Sequence, residues 1–193
     1  VEVCQIDRCR EVSVNEIAKE CCVHDARDQY GGKTAREVKN MAEVEAKLSK
    51  LGLELPDAPA PAANYVPYVI SGNTVYISGQ ISQDSNGLII GKLGDNLTAE
   101  EGARAARNCA LSLLAQAKAA CGGDLSRISR VLKLTGFVNS TPDFTEQPKV
   151  INGASDLLVE LLGEAGRHAR SAVSAAALPL GVAVEIEGIF QID

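Results

Sequence analysis

Formal charge is scarce in residues 168–189, HARSAVSAAALPLGVAVEIEGI, and it falls at Arg170, Glu185 and Glu187. An arginine heading a strand, beside Ala, Ser and Gly that let a ligand come close, can grip a carboxylate through two parallel hydrogen bonds. It can equally form an ordinary ion pair with one of the glutamates, and the residues alone favour that plainer use slightly. Glu185 and Glu187 share one side of their strand, as a period of two requires, and a solvated strand face would account for both.

Other chemistry finds little support. There is no G-x-S-x-G elbow, no phosphate-binding G-x-x-x-x-G-K-[ST] loop, no G-x-G-x-x-G opening a helix and no H-E-x-x-H. With only His24 and His168 available, a histidine pair for RNA cleavage, or a serine triad, would have to recruit the N-terminal segment. That segment also holds Cys4, Cys9, Cys21 and Cys22, which together with His24 invite a metal-cluster reading. Structural zinc sites pair their ligands at short gaps, and no second pair follows Cys4 and Cys9 at a comparable gap, so no metal is expected.

The elements that must position Arg170 and the glutamates can be read along the chain. Residues 1–40 contain no Leu or Pro and read as an atypical extension translated from upstream of a start at Met41, disordered or weakly helical. Residues 41–63 give a short amphipathic helix, MAEVEAKLSKLGLEL, closed by Pro56, and a Pro/Ala linker. Residues 64–193 form the folded domain. YVPYVI and TVYISGQIS are strands around the turn SGN, and GLIIGKLG is a third. Thr98 and Glu101 make a capping box before a long helix whose stripe runs through Ala103, Ala106, Ala110, Leu113, Leu114, Ala117 and Cys121, ending at Gly122 and Gly123. RISRVLKLTGFV is a strand, STPDFTEQP a loop, and VINGASDLLVELLGEAG a second helix with Ile151, Leu157, Leu158, Leu161 and Leu162 apolar. RSAVSAAAL and VAVEIEGIF are strands joined at PLG.

The order β-β-β-α-β-α-β-β predicts an α+β fold, a six-stranded, mostly antiparallel sheet with two helices on one face. Its other face is too apolar to stay in water, so subunit packing is expected to cover it.

The chain has 193 residues, 46% hydrophobic and 23% charged, with a formal net charge of −6. That balance speaks against a nucleic-acid partner held through phosphates, which would ask for a basic face. No apolar stretch approaches the ~20 residues that cross a bilayer, and the start lacks the apolar core of a signal peptide, so a cytoplasmic protein without a membrane partner is expected.

VPYVISGNTVYISGQI, VINGASDLLVELLGEAGRHARSAV and LPLGVAVEIEGI, in that order and spacing over about residues 60–193, resemble the RidA/YjgF family, known historically as endoribonuclease L-PSP. The resemblance implies a chorismate mutase-like fold, a homotrimer with ligand clefts between subunits, and cofactor-free hydrolysis of enamines and imines of the 2-aminoacrylate type to 2-keto acids and ammonia. It implies that Arg170 binds the substrate carboxylate and that Glu185 orients or deprotonates the attacking water. Tyr68, Ser78, Gly79 and Asn152 would line the cleft. Ala172 stands where many deaminase members carry a cysteine, and His168 replaces a frequent proline. The STPDFTEQPK loop is also longer than in compact members, resembling a longer subgroup. Two other readings are a non-catalytic trimer that binds small carboxylates or 2-keto acids in the same cleft, and a ribonuclease or translation inhibitor, which the acidic charge does not favour.

Overall fold

A computed structural model describes residues 35–58 and 64–193. The first helix among the described residues, α1 (Ala35–Lys50), begins six residues before Met41, so it runs across the boundary expected there. Val44 and Leu48 on α1 are buried in the common core, and the Lys47 ammonium donates to the Leu161 carbonyl at 3.1 Å. Cys4, Cys9, Cys21, Cys22 and His24 lie outside the described residues.

The sheet begins with β1 (Tyr68–Ser71) and β2 (Thr74–Ile81), a hairpin turning at Gly72 and Asn73. The expected third strand does not join the sheet. Its start makes a two-residue ribbon, β3 (Gln83–Asp84) with β4 (Gly87–Leu88), and the rest is a loop. Gly91 at φ 152° and Gly94 at φ 84° interrupt an extended path there, while Leu93 is fully buried as a plug. Helix α2 (Ala99–Ala120) starts with the expected capping box: Thr98 Oγ1 accepts from the Glu101 N–H while the Glu101 carboxylate takes the Thr98 N–H. Its stripe from Ala106 to Cys121 is buried, so the 3.6-residue period marks the face laid on the sheet.

Strand β5 (Ile128–Asn139), helix α3 (Gln147–Leu162) and strand β6 (Ala169–Ala175) form a parallel crossover, and β7 (Val184–Ile192) closes the fold. The strand order is β1-β2-β7-β5-β6. The sheet therefore has five strands rather than six, antiparallel except for the β5–β6 pair. β6 and β7 are not a hairpin. β5 lies between them, because a strand that returns through a helix lands parallel to its predecessor, and the chain then hops across the end of β5. The Lys92 ammonium ties that hop down, donating to Ala176 O at 2.7 Å and to Asn139 Oδ1 at 2.8 Å.

Helices α2 and α3 cover one face. Leu113, Leu114, Leu134, Ile151, Leu157, Leu158, Ile186 and Phe190 are fully buried between layers, each contributing roughly 1.5–3 kcal/mol by leaving water. The opposite face carries Val69, Tyr76 and Val173, all exposed apolar side chains. Among the described residues no helix is long and apolar enough to cross a membrane.

Candidate active site

Arg170 stands opposite Leu134 in the parallel β5–β6 pair, and Leu134 faces the helices. Paired residues point to the same side of a sheet, so Arg170 meets α3 as it passes over edge strand β6. Its Nη1 donates to Asn152 Oδ1 at 2.8 Å and to Ser155 Oγ at 3.0 Å. Asn152 and Ser155 are three apart on the helix and so share a face. The Ser155 hydroxyl lies 3.1 Å from His168 Nε2, and His168 Nδ1 lies 2.6 Å from the Gly166 carbonyl. Burial holds the His168 imidazole below its usual range; the Gly166 bond opposes that, and the Arg170 charge adds to it. His168 is therefore neutral at pH 7.

Arg170 makes no ion pair with Glu185 or Glu187. The arginine ion pairs among the described residues join Arg104 to Glu101, Arg107 to Glu160 and Arg167 to Glu164. Both N–H groups of Nη1 are taken by α3, which leaves the Nε–Nη2 edge as a two-donor fork.

Glu185 occupies a different place. On β7 it stands between Phe137 of β5 and Ile81 of β2. Val184 and Ile186 on either side are buried toward the helices, so Glu185 projects from the uncovered face. Its carboxylate lies over the β2 bulge between Ile77 and Gln80, where a Cβ on Gly79 would collide with a carboxylate oxygen. Only glycine admits it there. The Gln80 side chain bridges the bulge, donating to Ser78 O at 2.8 Å and Gly79 O at 3.3 Å. Ser78 anchors the chain before β1 through its hydroxyl to Val66 O at 2.8 Å and its N–H to Pro67 O at 3.0 Å. Burial pushes the Glu185 carboxyl above its usual range, and the nearby Glu187 charge adds to that.

The six residues expected in the cleft thus fall into separate groups. Arg170 and Asn152 touch on the helix side of edge strand β6. Glu185, Gly79 and Ser78 gather at the β2 bulge on the other face. Tyr68 pairs with Ile77, turns toward the helix side and packs against the core, apart from Glu185. Arg170 sits at the level of Leu134 and Gly188, three residues along β7 from Glu185 and two strands away. With strands about 4.8 Å apart and about 3.3 Å per residue, their Cα atoms are ~14 Å apart. Within one chain the two cannot address the same small molecule.

Ser155 and His168 were not among the expected site residues. Their signal was present in N-x-x-S on one helix face and in H-x-R leading into a strand, yet only the crossover that lays α3 over β6 brings the pairs together.

The arrangement offers an unneutralised guanidinium fork for an anion and, elsewhere, a half-buried carboxyl of raised proton affinity with no ion-pair partner among the described residues. The chain is similar to a family of known proteins. Residues 45–187 match the family model described as "YjgF/chorismate mutase-like, putative endoribonuclease". The chain is similar to Protein TCP17 of Trypanosoma cruzi, 52% identical over 78% of this chain and 94% of the relative. It is 32% identical to a 2-iminobutanoate/2-iminopropanoate deaminase of Dermatophagoides farinae over 73% of this chain and 95% of that one. Among solved structures it resembles protein Atu1372 of Agrobacterium tumefaciens, described as of unknown function, with TM-score 0.75 and 49% identity over 80% of this chain and 97% of that one. With the family model matched over residues 45–187, a span that holds both halves of the candidate site, the chain belongs to the RidA/YjgF family.

Proposed function

We propose that this protein hydrolyses small 2-imino acids and their enamine tautomers to 2-keto acids and ammonia, without a cofactor, in clefts formed between copies of the chain. The observation that carries the reading is the guanidinium of Arg170, held by Asn152 and Ser155 through one nitrogen and without a carboxylate partner among the described residues. A small 2-imino acid has one carboxylate, the group that a planar two-donor fork selects. The deaminase relative supports the reaction class.

The chemistry follows from where charge changes. Arg170 binds the carboxylate and so places the adjacent C=N carbon, converting binding energy into orientation. Glu185 takes a proton from water as the oxygen attacks that carbon, giving a carbinolamine. The same carboxyl returns a proton to nitrogen. The C–N bond then breaks as the carbinol O–H passes its proton through Glu185 to the leaving nitrogen, and a keto acid and ammonia leave. Burial of Glu185 strengthens its basicity, which suits the first step.

Since Arg170 and Glu185 lie on opposite faces of one sheet, the cleft needs Arg170 from one copy and Glu185 from another. The exposed Val69, Tyr76 and Val173 offer apolar surface for that packing, and the family resemblance supports a homotrimer. The test is ammonia release from 2-iminopropanoate generated in situ, with wild type and Arg170→Ala. Acceleration lost in the variant is the expected result. Equal background rates with retained binding of pyruvate would make the cleft a binding site instead.

A further inference from the structure

Arg170 sits on an edge strand, half-buried, with a long side chain whose orientation nothing on its own strand fixes. Behind it runs a chain of hydrogen bonds whose direction is forced. The Gly166 carbonyl only accepts, so His168 Nδ1, at 2.6 Å, carries the proton. Neutral imidazole has one N–H, so Nε2 is an acceptor, and the Ser155 hydroxyl 3.1 Å away donates to it. That leaves the lone pairs of Ser155 Oγ for Arg170 Nη1 at 3.0 Å. Asn152 Oδ1 takes the other N–H of the same nitrogen.

We infer that His168 and Ser155 are positioning residues for the proposed carboxylate site: His168 orients the Ser155 hydroxyl so that its oxygen holds Arg170 Nη1, which keeps the Nε–Nη2 edge turned toward the ligand. This inference rests on the deaminase reading and adds two residues to it. Neither residue touches the substrate. If the Ser155 hydroxyl turned the other way, its hydrogen would face the guanidinium and the anchor would be lost. The histidine is what prevents that.

The experiment uses the full chain and measures pyruvate binding by titration calorimetry, alongside thermal melts. Ser155→Ala removes one hydrogen bond to a charged group and should weaken pyruvate about tenfold. His168→Phe should do the same, since it removes the acceptor that orients Ser155. The double variant should be no weaker than either single one, because both act on one bond. His168→Gln, whose amide oxygen can take the Ser155 proton, should bind within about twofold of wild type, which guards against a His168→Phe that simply misfolds. A merely structural role would lower the melting temperature and leave these couplings absent. Nitrogen-15 NMR of the imidazoles gives a second readout: His168 should be the Nδ1–H tautomer, with Nε2 shifting when Ser155 becomes Ala. Unchanged affinity in folded Ser155→Ala, or additive losses in the double variant, overturns the inference. If Arg170→Ala binds pyruvate as well as wild type, the deaminase reading falls as well. If Arg170→Ala abolishes binding while the Ser155 and His168 variants bind normally, only the positioning claim falls.

Discussion

Mixing two dead variants should restore activity. Glu185→Ala removes the proposed base, a loss of about 10²–10⁴-fold for general base catalysis, and Arg170→Ala removes the proposed carboxylate fork. Each alone should run near background. In a closed ring of three copies, with each cleft taking Arg170 from one copy and Glu185 from its neighbour, a cleft is intact when a Glu185→Ala copy supplies the arginine and an Arg170→Ala copy the glutamate. Random assembly of equal amounts makes about one quarter of clefts intact, so the mixture should recover about one quarter of wild-type turnover. The ~14 Å separation and the opposite faces set this expectation, since catalytic groups must lie within hydrogen-bond reach of the same substrate. The assay is ammonia release from 2-iminopropanoate after the two chains are unfolded together and reassembled, with native mass spectrometry counting the mixed species. A mixture that contains heterotrimers yet stays at background would refute the argument that the site is shared between copies.

Other consequences follow from single positions. Gly79→Ala puts a Cβ where the Glu185 carboxylate lies; turnover should fall about 100-fold, as for loss of the base, while pyruvate affinity, set by Arg170, stays within about twofold of wild type. Glu185 holds its proton more tightly in the folded protein, so folding loses stability as pH rises from its unfolded pKa through its folded one; Glu185→Gln should raise the melting temperature at pH 7.5 and give a smaller gain at pH 4. Leu157→Ala should cost about 3 kcal/mol in urea unfolding, because this fully buried side chain leaves a cavity under α3. Thr98→Ala removes half of a reciprocal cap on α2 and should cost about 1 kcal/mol in the same measurement.

What could be read from the sequence was what local physics writes into it. Thr98 and Glu101, three apart before an apolar stripe, specify a helix start wherever the helix docks. The stripe from Ala106 to Cys121 states which face goes inward. The strand SAVSA and the strand VEIEGI were equally legible as strands, but not as neighbours, because pairing partners are chosen by the whole chain. PLG between them suggested a hairpin turn, whereas the connection carries Leu180 at φ 57° and is stitched to the preceding loop by the Ile90–Val182 bridge. GLIIGKLG had the composition of a strand, and the competing demands of two left-handed glycines and a buried Leu93 broke it. Arg170 and Glu185 could be named from residue type and resemblance. Their placement on opposite faces could not, since it depends on the nonlocal insertion of β5.

That insertion explains why these charges persist in an apolar stretch. Had β6 and β7 formed a hairpin, Arg170 could have come within reach of Glu185 or Glu187, and an ion pair would have neutralised both ends. With β5 between them the guanidinium is turned toward α3 and the carboxyl toward the β2 bulge, each half-buried and each without its opposite. A charge withdrawn from water without a counter-charge costs stability, and the chain carries two of opposite sign. The raised proton affinity of Glu185 is that cost made visible on one of them. In the proposed assembly, packing one copy against the next would let the arginine of one face the glutamate of another. There the opposite signs act on a ligand between them rather than cancel in contact, the electrostatic condition for holding an anion beside a base.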